Sequence, residues 1–404
     1  MNIRTGLALT LVTALAGCGG AMDASGKDGS GAGGSTSNGG GSTSSGGGST
    51  SSGGGSTASG GGSTSSGGGG DGESAPPSLV FSPYKDTSIN MNWNTNLITT
   101  SVSGTPTGLA VDLTKNGGKT ITLAFATGEC GSENFGGVPG AAMATANVSV
   151  LSGAGVDYIV STGGAAGSFT CGSDVGFQTF VGRWMSDNLI GIDFDIEAGQ
   201  STQVIGDLIA RIKTAHAMYP KLRFSLTLAT LADNAGDATA KSLGASAPDS
   251  FNSFGDNTLA AVKSVLGFDG TAGTWPSYVT VNLMTMDYGS PSKNVCVVAN
   301  SLCQMGQSAL QAAYNLHDHF GVPYSNIELT PMIGGNDAQD EKFTLDDVDT
   351  VSQFAIAQGL AGVHHWSYDR DDDCTAGYAS PTCNSIGNAG TYGYLKRFLA
   401  AGMH

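Results

Sequence analysis

From residue 87 onward, short apolar runs recur along the chain, each followed by a stretch of mixed or amphipathic character. The runs fall at 87–93, 120–126, 157–161, 189–197, 223–229, 279–287, 327–333 and 362–368. Several are apolar at nearly every position, the pattern of parallel strands covered on both faces. Helical patterns lie between them at 204–219, 257–266, 306–320 and 345–358. In the first of these, Ile205, Leu208, Ile209 and Ile212 share one side. Eight strands alternating with helices predict an α/β fold, a (β/α)8 TIM barrel with some long loops. A doubly wound sheet of six or seven strands is the competing architecture.

The amino-terminal part follows neither period. Residues 1–17 read as an export signal, with Arg4 supplying positive charge and an apolar run at 7–16 too short to span a bilayer. Leu15-Ala16-Gly17-Cys18 looks like a bacterial lipobox, in which Cys18 is lipidated and becomes the new amino terminus. Acyl chains on Cys18 would hold the protein at a membrane surface. Ala14-Leu15-Ala16 also fits ordinary secretion. Residues 19–75 are nearly all Gly, Ser and Thr, with GGGSTSS-like repeats, and hold 24 of the 64 glycines. No repeat position carries a large apolar side chain, so a coiled-coil seam is excluded and a disordered tether is expected. Its r.m.s. reach is roughly 40–45 Å. The expected organisation is a signal at 1–17, an anchor and linker at 18–76, and one catalytic barrel at 77–404.

Charge narrows the partners. With 17 basic against 33 acidic residues the net charge is -16, a poor surface for nucleic acid, which needs clustered Lys and Arg. The acidity favours a neutral or cationic ligand.

The chemistry concentrates in Gly191-Ile192-Asp193-Phe194-Asp195-Ile196-Glu197. In a strand Asp193, Asp195 and Glu197 share one face and Ile192, Phe194 and Ile196 the other. The apolar set suits helix packing, which turns the acidic set toward the barrel interior. Like charges this close cannot all ionise, so a proton is shared and one pKa is raised. That is what a general acid needs near neutral pH. An edge strand with a solvated acidic face, or a calcium ligand set, is the plainer reading; an EF-hand loop is excluded by the apolar alternation and the spacing.

These residues resemble glycoside hydrolase family 18, the chitinases and their relatives. The family signature DGxDxDxE is matched by Gly191, Asp193, Asp195 and Glu197, with Ile190 in place of the first Asp. Ser161-Thr162-Gly163-Gly164 resembles the family's SxGG motif, and Met284-Thr285-Met286-Asp287-Tyr288 resembles its sixth-strand motif. Trp366 stands where the family has the aromatic floor of a subsite. Asn92-Trp93 and the loop 128–137 are similar to a bacterial chitinase branch.

The resemblance implies a retaining mechanism in which the substrate's own 2-acetamido carbonyl attacks the anomeric carbon, giving an oxazolinium ion. Glu197 would be the general acid and then base. Asp195 would accept a hydrogen bond from the acetamido N–H, Asp193 would share a proton with Asp195, and Tyr288 would hold the acetamido carbonyl. Met286, Asp287, Trp366, Trp93, Gly163 and Gly164 would bind substrate. No metal or organic cofactor is implied. The implied partner is chitin or its oligosaccharides, acted on by a monomer at a bacterial cell surface or outer membrane, or secreted. The alternatives are an endo-β-N-acetylglucosaminidase acting on N-glycan cores and a non-catalytic chitin-binding lectin, although such lectins typically lose the last Glu.

The plainer readings make Trp366 a core aromatic and Tyr288 a strand cap. His364 and His365 point to opposite faces of a strand, which argues against a shared ion. The run Asp369-Arg370-Asp371-Asp372-Asp373 reads as a solvated loop, with calcium binding as the alternative. Seven cysteines leave six once Cys18 is set aside. Six allow fifteen pairings. Short loops favour Cys296–Cys303 and Cys374–Cys383, leaving Cys130 with Cys171. Export fits disulfides.

Overall fold

Pro83 interrupts the strand that opens the barrel. On either side of it lie β1 (Val80–Phe81) and β2 (Tyr84–Asp86), too short and too polar to register as an apolar run. β3 (Thr120–Ala126), β4 (Asp157–Gly163), β5 (Leu189–Asp195), β6 (Arg223–Ala229), β7 (Val279–Met284), β8 (Ile327–Thr330) and β9 (Gly362–Val363) follow. The computed structural model describes residues 79–404 except 198, 236–249 and 378. The export signal, Cys18, the linker and the expected boundary at 77 lie outside the described residues.

All neighbouring barrel strands are parallel, in the order β1-β9-β8-β7-β6-β5-β4-β3-β2. β1 pairs with β9 while β2 pairs with β3, so the two pieces of one interrupted strand close the ring. Pro83 has no N–H to give the ladder. Its carbonyl still accepts from Thr122 N–H at 2.9 Å. A doubly wound sheet would leave two open edges; this one leaves none.

A helix follows each barrel position: α1 (Leu109–Lys115), α2 (Gly140–Gly153), α3 (Asp174–Trp184), α4 (Thr202–Met218), α5 (Ser253–Ala261), α6 (Met305–Phe320), α7 (Leu345–Gln358) and α8 (Gly393–Ala400). The α4 stripe of Ile205, Leu208, Ile209 and Ile212 is buried against the sheet. Each such side chain contributes about 1.5–3 kcal/mol of apolar burial. α1, α2, α3 and α8 were not legible as helices, being short or rich in Gly, Ala and Ser. Among the described residues no helix is long and apolar enough to cross a membrane.

The outward face of β5 behaves as its pattern predicts. Ile192, Phe194 and Ile196 are buried, with the Phe194 ring 5.9 Å from Phe177 and 6.4 Å from Phe169. The inward face is set by register: Ser161 on β4 and Ser225 on β6 flank Asp193, while Gly163 and Thr227 flank Asp195.

Two expectations need correction. Residues 87–93 are not the first barrel strand: Met91–Asn92 pairs antiparallel with Leu97–Thr100 in a hairpin after β2. Alternating apolar positions suit a hairpin as well as a barrel strand, and here Pro83 and Lys85 hid the real one. The run 369–373 is not a solvated loop either. Asp369, Arg370 and Asp371 are buried, because each charge finds partners. Lys85 Nζ meets Asp369 Oδ2 at 2.6 Å, and Asp371 accepts the Tyr394 and Leu395 N–H groups at the start of α8, at 2.9 and 2.7 Å. Arg370 donates to the carbonyls of Ile333, Gly335 and Ser380.

The three disulfides are Cys130–Cys171, Cys296–Cys303 and Cys374–Cys383. The first joins the loops after β3 and β4.

Candidate active site

Asp193 lies at the centre of the barrel mouth, caged by hydroxyls. Ser225 and Thr227 donate to Oδ1, both at 2.7 Å, and Ser161 and Tyr84 donate to Oδ2 at 2.5 and 3.0 Å. The cage extends sideways, since Asn282 Nδ2 donates to Tyr84 and Thr227 and Thr330 donates to Asn282 Oδ1. Burial pushes the Asp193 pKa up, and the hydroxyls of Ser161, Thr227 and Ser225 partly oppose that.

Asp195 has no such cage. Its Oδ1 receives no hydrogen bond from an N–H or hydroxyl donor of the protein, and neither does Glu197 Oε1. Burial lifts Asp195 well above the carboxylate range, and the charges of Glu197 and Asp193 add to the lift. Its hydrogen bond to Glu197 raises it further and lowers Glu197. Asp193 acts on Asp195 through its charge, while its own oxygens are occupied by hydroxyls. Burial pushes Glu197 up to about 7; the Ala165 N–H and Asp195 draw it back, and Asp287 adds to the rise.

The motif glycines build this geometry without lining the cleft. Gly163 has a φ of +87°, and a Cβ there would lie 2.0 Å from the Asp195 carbonyl oxygen. A Cβ on Gly164 would strike the Phe125 ring at 2.9 Å. Gly164 N–H also donates to the Asp195 carbonyl at 3.2 Å. Only glycine lets β4 end so close to β5.

A narrow cleft opens over Asp195. Trp366 forms its aromatic side with Phe125, the rings 5.6 Å apart and 20° from parallel, and with Tyr84. Met284 and Met286 form the apolar wall, packed on Met332 and Trp366. Asp195, Thr227 and Thr330 supply the polar lining. An apolar cleft with a few convergent polar groups and a carboxyl titrating near neutrality is the usual make-up of a catalytic site.

No protein-family model matches the chain. Among curated proteins it is 38% identical over 102 residues to a probable bifunctional chitinase/lysozyme of Escherichia coli (strain K12), and 37% identical over 102 residues to endochitinase 11 of Metarhizium anisopliae. Each match covers 22% of this chain but only 11% and 19% of those proteins. Among solved structures, the catalytic domain of a hyperthermophilic chitinase from Pyrococcus furiosus superposes with a TM-score of 0.57 at 22% identity, covering 82% of this chain and 97% of that one. A catalytic-site mutant of active domain 2 of a thermostable chitinase from the same organism, complexed with chito-oligosaccharides, gives 0.57 at 23% identity, covering 83% and 99%. The fold is that of a chitinase catalytic domain.

Within this chitinase-type barrel, Asp193, Asp195, Met286 and Trp366 converge with Glu197 on the mouth. Asp287 and Tyr288 stand beside them, just past β7. Tyr288 is buried, and its hydroxyl has no hydrogen-bond partner. Burial pushes it well above the usual tyrosine value, and the charges of Glu341 and Asp287 add to this. Trp93 is 58% exposed on the hairpin after β2 and does not line the cleft.

His364 and His365 do face opposite ways. His364 Nε2 meets Glu328 at 2.8 Å and its Nδ1 meets the Ser82 carbonyl at 2.9 Å. His365 is packed near Phe81 and Phe398, and burial drives its pKa down to about 3. Among the described residues, the grouping of metal-ligand atoms is Glu129 with Cys130 and Cys171, whose sulfurs are bonded to each other.

Tyr84, Phe125, Ser225, Thr227, Asn282 and Thr330 were missed in the sequence. A signal was available for four of them. Polar residues at alternate positions of otherwise apolar strands mark the barrel interior: Arg223, Ser225, Thr227 on β6, then Thr280, Asn282 on β7, then Glu328, Thr330 on β8.

Proposed function

We propose that the chain is a family 18 glycoside hydrolase, a chitinase that cleaves β-1,4 bonds between N-acetylglucosamine units with retention and substrate assistance. The observation that carries this reading is two carboxyls, Asp195 and Glu197, held together at an aromatic and methionine-lined cleft, where burial pushes Glu197 up to about 7 and Asp195 well above the carboxylate range. Glu197 protonates the glycosidic oxygen as the bond breaks, then takes a proton from water. The substrate's acetamido carbonyl attacks the anomeric carbon in place of a protein nucleophile.

Tyr288 suits the task of holding that carbonyl, since its buried hydroxyl has a proton and no partner. Asp195 passes its proton to Glu197, which delivers it to the glycosidic oxygen and is left a carboxylate ready to take a proton from water; the Asp195 carboxylate meanwhile offsets the positive charge of the oxazolinium ion and accepts the acetamido N–H, and the proton returns to it once water has attacked. Asp193, fixed by four hydroxyls, supplies a stationary neighbour that raises the cost of ionising Asp195 before it is needed. Trp366 stacks under the sugar, with Met286 and Asp287 along the same subsite and Trp93 further out. The protein acts as a monomer, exported from a bacterium and held at its surface by acyl chains on Cys18; fatty-acid labelling that is lost in Cys18→Ser tests the anchor.

The deciding experiment incubates the purified protein with chitin oligosaccharides and, separately, with a high-mannose glycoprotein. Release of short N-acetylglucosamine oligomers from the first supports the chitinase. Release of intact glycan from the second alone would instead make it an endo-β-N-acetylglucosaminidase. Binding to chitin without product would make it a lectin.

A further inference from the structure

Behind the cleft wall, one amide joins three of the side chains that line it. Asn282 sits on β7 between Val281 and Leu283, which take the outward face, so its own side chain turns into the barrel. Register sets it beside Thr227 on β6 and Glu328 on β8. It is fully buried. Its amide meets Tyr84, Thr227 and Thr330, all of which line the cleft, while Asn282 itself does not.

This amide decides where two hydrogens go. Nδ2 lies 2.9 Å from both the Tyr84 hydroxyl and Thr227 Oγ1, and donates to each. Oδ1 accepts from the Thr330 hydroxyl at 2.7 Å. A hydroxyl has one hydrogen to give. With the amide N–H groups on their oxygens, Tyr84 and Thr227 turn theirs to Asp193, at 3.0 and 2.7 Å. Ser161 and Ser225 complete the set, so each Asp193 oxygen takes two donors, the full capacity of a carboxylate. Turned over, the amide would present its oxygen and compete for the hydrogens of Tyr84 and Thr227. Removed, it would free these two hydroxyls, 3.1 Å apart, to bond each other in place of Asp193.

We propose that Asn282 is a positioning residue: it directs the Tyr84 and Thr227 hydroxyls onto Asp193 and so keeps Asp193 an ionised acceptor beside Asp195. A proton on Asp193 would have to displace one of the four hydroxyl hydrogens, and the amide keeps two of them in place. Burial alone favours the protonated form, and the hydroxyls of Ser161, Thr227 and Ser225 oppose it. The titratable and charged groups facing Asp193 are Tyr84 on β2, Asp195 on its own strand, and Glu328 on β8, itself paired with Arg223 and His364. Without the amide, the proton that Asp195 passes to Glu197 is drawn to Asp193 instead. That effect on turnover rests on the chitinase reading; the direction of the hydrogen bonds does not.

Neutron diffraction from crystals of the parent protein in deuterated buffer at neutral pH reads that direction without any assay. It should show both Asn282 deuterons facing Tyr84 and Thr227, the deuterons of those hydroxyls on the Asp193 side, and none on Asp193 itself. Turnover of a soluble chito-oligosaccharide then tests the consequence. Asn282→Leu, close in size, should lower kcat about tenfold or more while KM stays within about twofold, since Asn282 does not reach the cleft. Tyr84→Phe removes one of the hydroxyls that the amide directs. In that background Asn282→Leu should cost about threefold or less, because residues that act through one network do not add.

An Asn282 oxygen facing Tyr84, or a deuteron on Asp193, would overturn the proposal. So would an Asn282→Leu protein with parental kcat, or equal losses in the two backgrounds. Should Asn282→Leu fail to fold, the neutron map of the parent still decides. An inactive parent whose map shows the expected deuterons supports the arrangement and overturns the chitinase reading instead.

Discussion

Two groups of buried acids occupy the same barrel, one at its mouth and one at its floor, and they are held in opposite ways. At the floor, Glu328 is fully buried, and burial alone would raise it. Arg223 and His364 outweigh that and hold it down to about 2. Arg223 pairs with Glu328 Oε1, while His364 meets Oε2 at 2.8 Å. Gly191 makes room for this pairing, since a Cβ there would lie 2.5 Å from Arg223 Cγ. At the mouth, Asp195, Glu197, Asp287 and Glu341 have no cation placed against them as Arg223 is against Glu328, and all are pushed up. Burial is common to both groups. The partner decides the sign: a matched cation makes a structural anion, and its absence makes an acid able to carry a proton at neutral pH.

The largest effect should come from breaking the floor pair. Arg223→Met keeps the volume beside Gly191 but leaves Glu328 short of its main cation. A loss of about 3–5 kcal/mol is expected in urea unfolding at pH 7. A loss under about 1 kcal/mol would mean that the floor is not held by charge pairing.

Next comes the acid limb. Glu328 has a folded pKa below its ordinary value of 4.5, so the stability it contributes is present above pH 4.5 and is lost as pH falls toward 2. The stability margin of the parent over Glu328→Gln should therefore narrow by about 1–3 kcal/mol between pH 5 and pH 2. A margin that stays constant over this range would contradict the floor assignment.

The mouth should show the reverse sign and a smaller size. Glu197 is raised to about 7, so its cost is absent below its ordinary value of 4.5 and grows as pH rises through 7. Relative to the parent, Glu197→Gln should gain about 1–2 kcal/mol between pH 5 and pH 8, reduced because the cleft admits water. Parallel stability curves would show that Glu197 is not a strained acid.

The mouth was legible in the sequence because its chemistry is written in one strand. Asp193, Asp195 and Glu197 alternate with Ile192, Phe194 and Ile196, and a period of two assigns their faces without any long-range information. Seven of the eight barrel strands were legible for the same local reason, a short run with apolar residues at least at every second position. The floor was less so. Arg223, Glu328 and His364 are 36 to 141 residues apart and meet only because parallel register brings β6, β8 and β9 to one level. Tyr84 was hidden beside Pro83 in the one strand that is not apolar. Glu341 gave no sequence signal at all, since it meets the Tyr288 N–H only through a hairpin that folds back onto the end of β7.

The central claim, that Glu197 is the proton donor of a chitinase, is tested most directly by Glu197→Gln assayed on one preparation for both turnover and binding of a soluble chito-oligosaccharide. Turnover should fall by about 10²–10⁴-fold with binding retained. Hydrolysis at the parental rate would contradict the account.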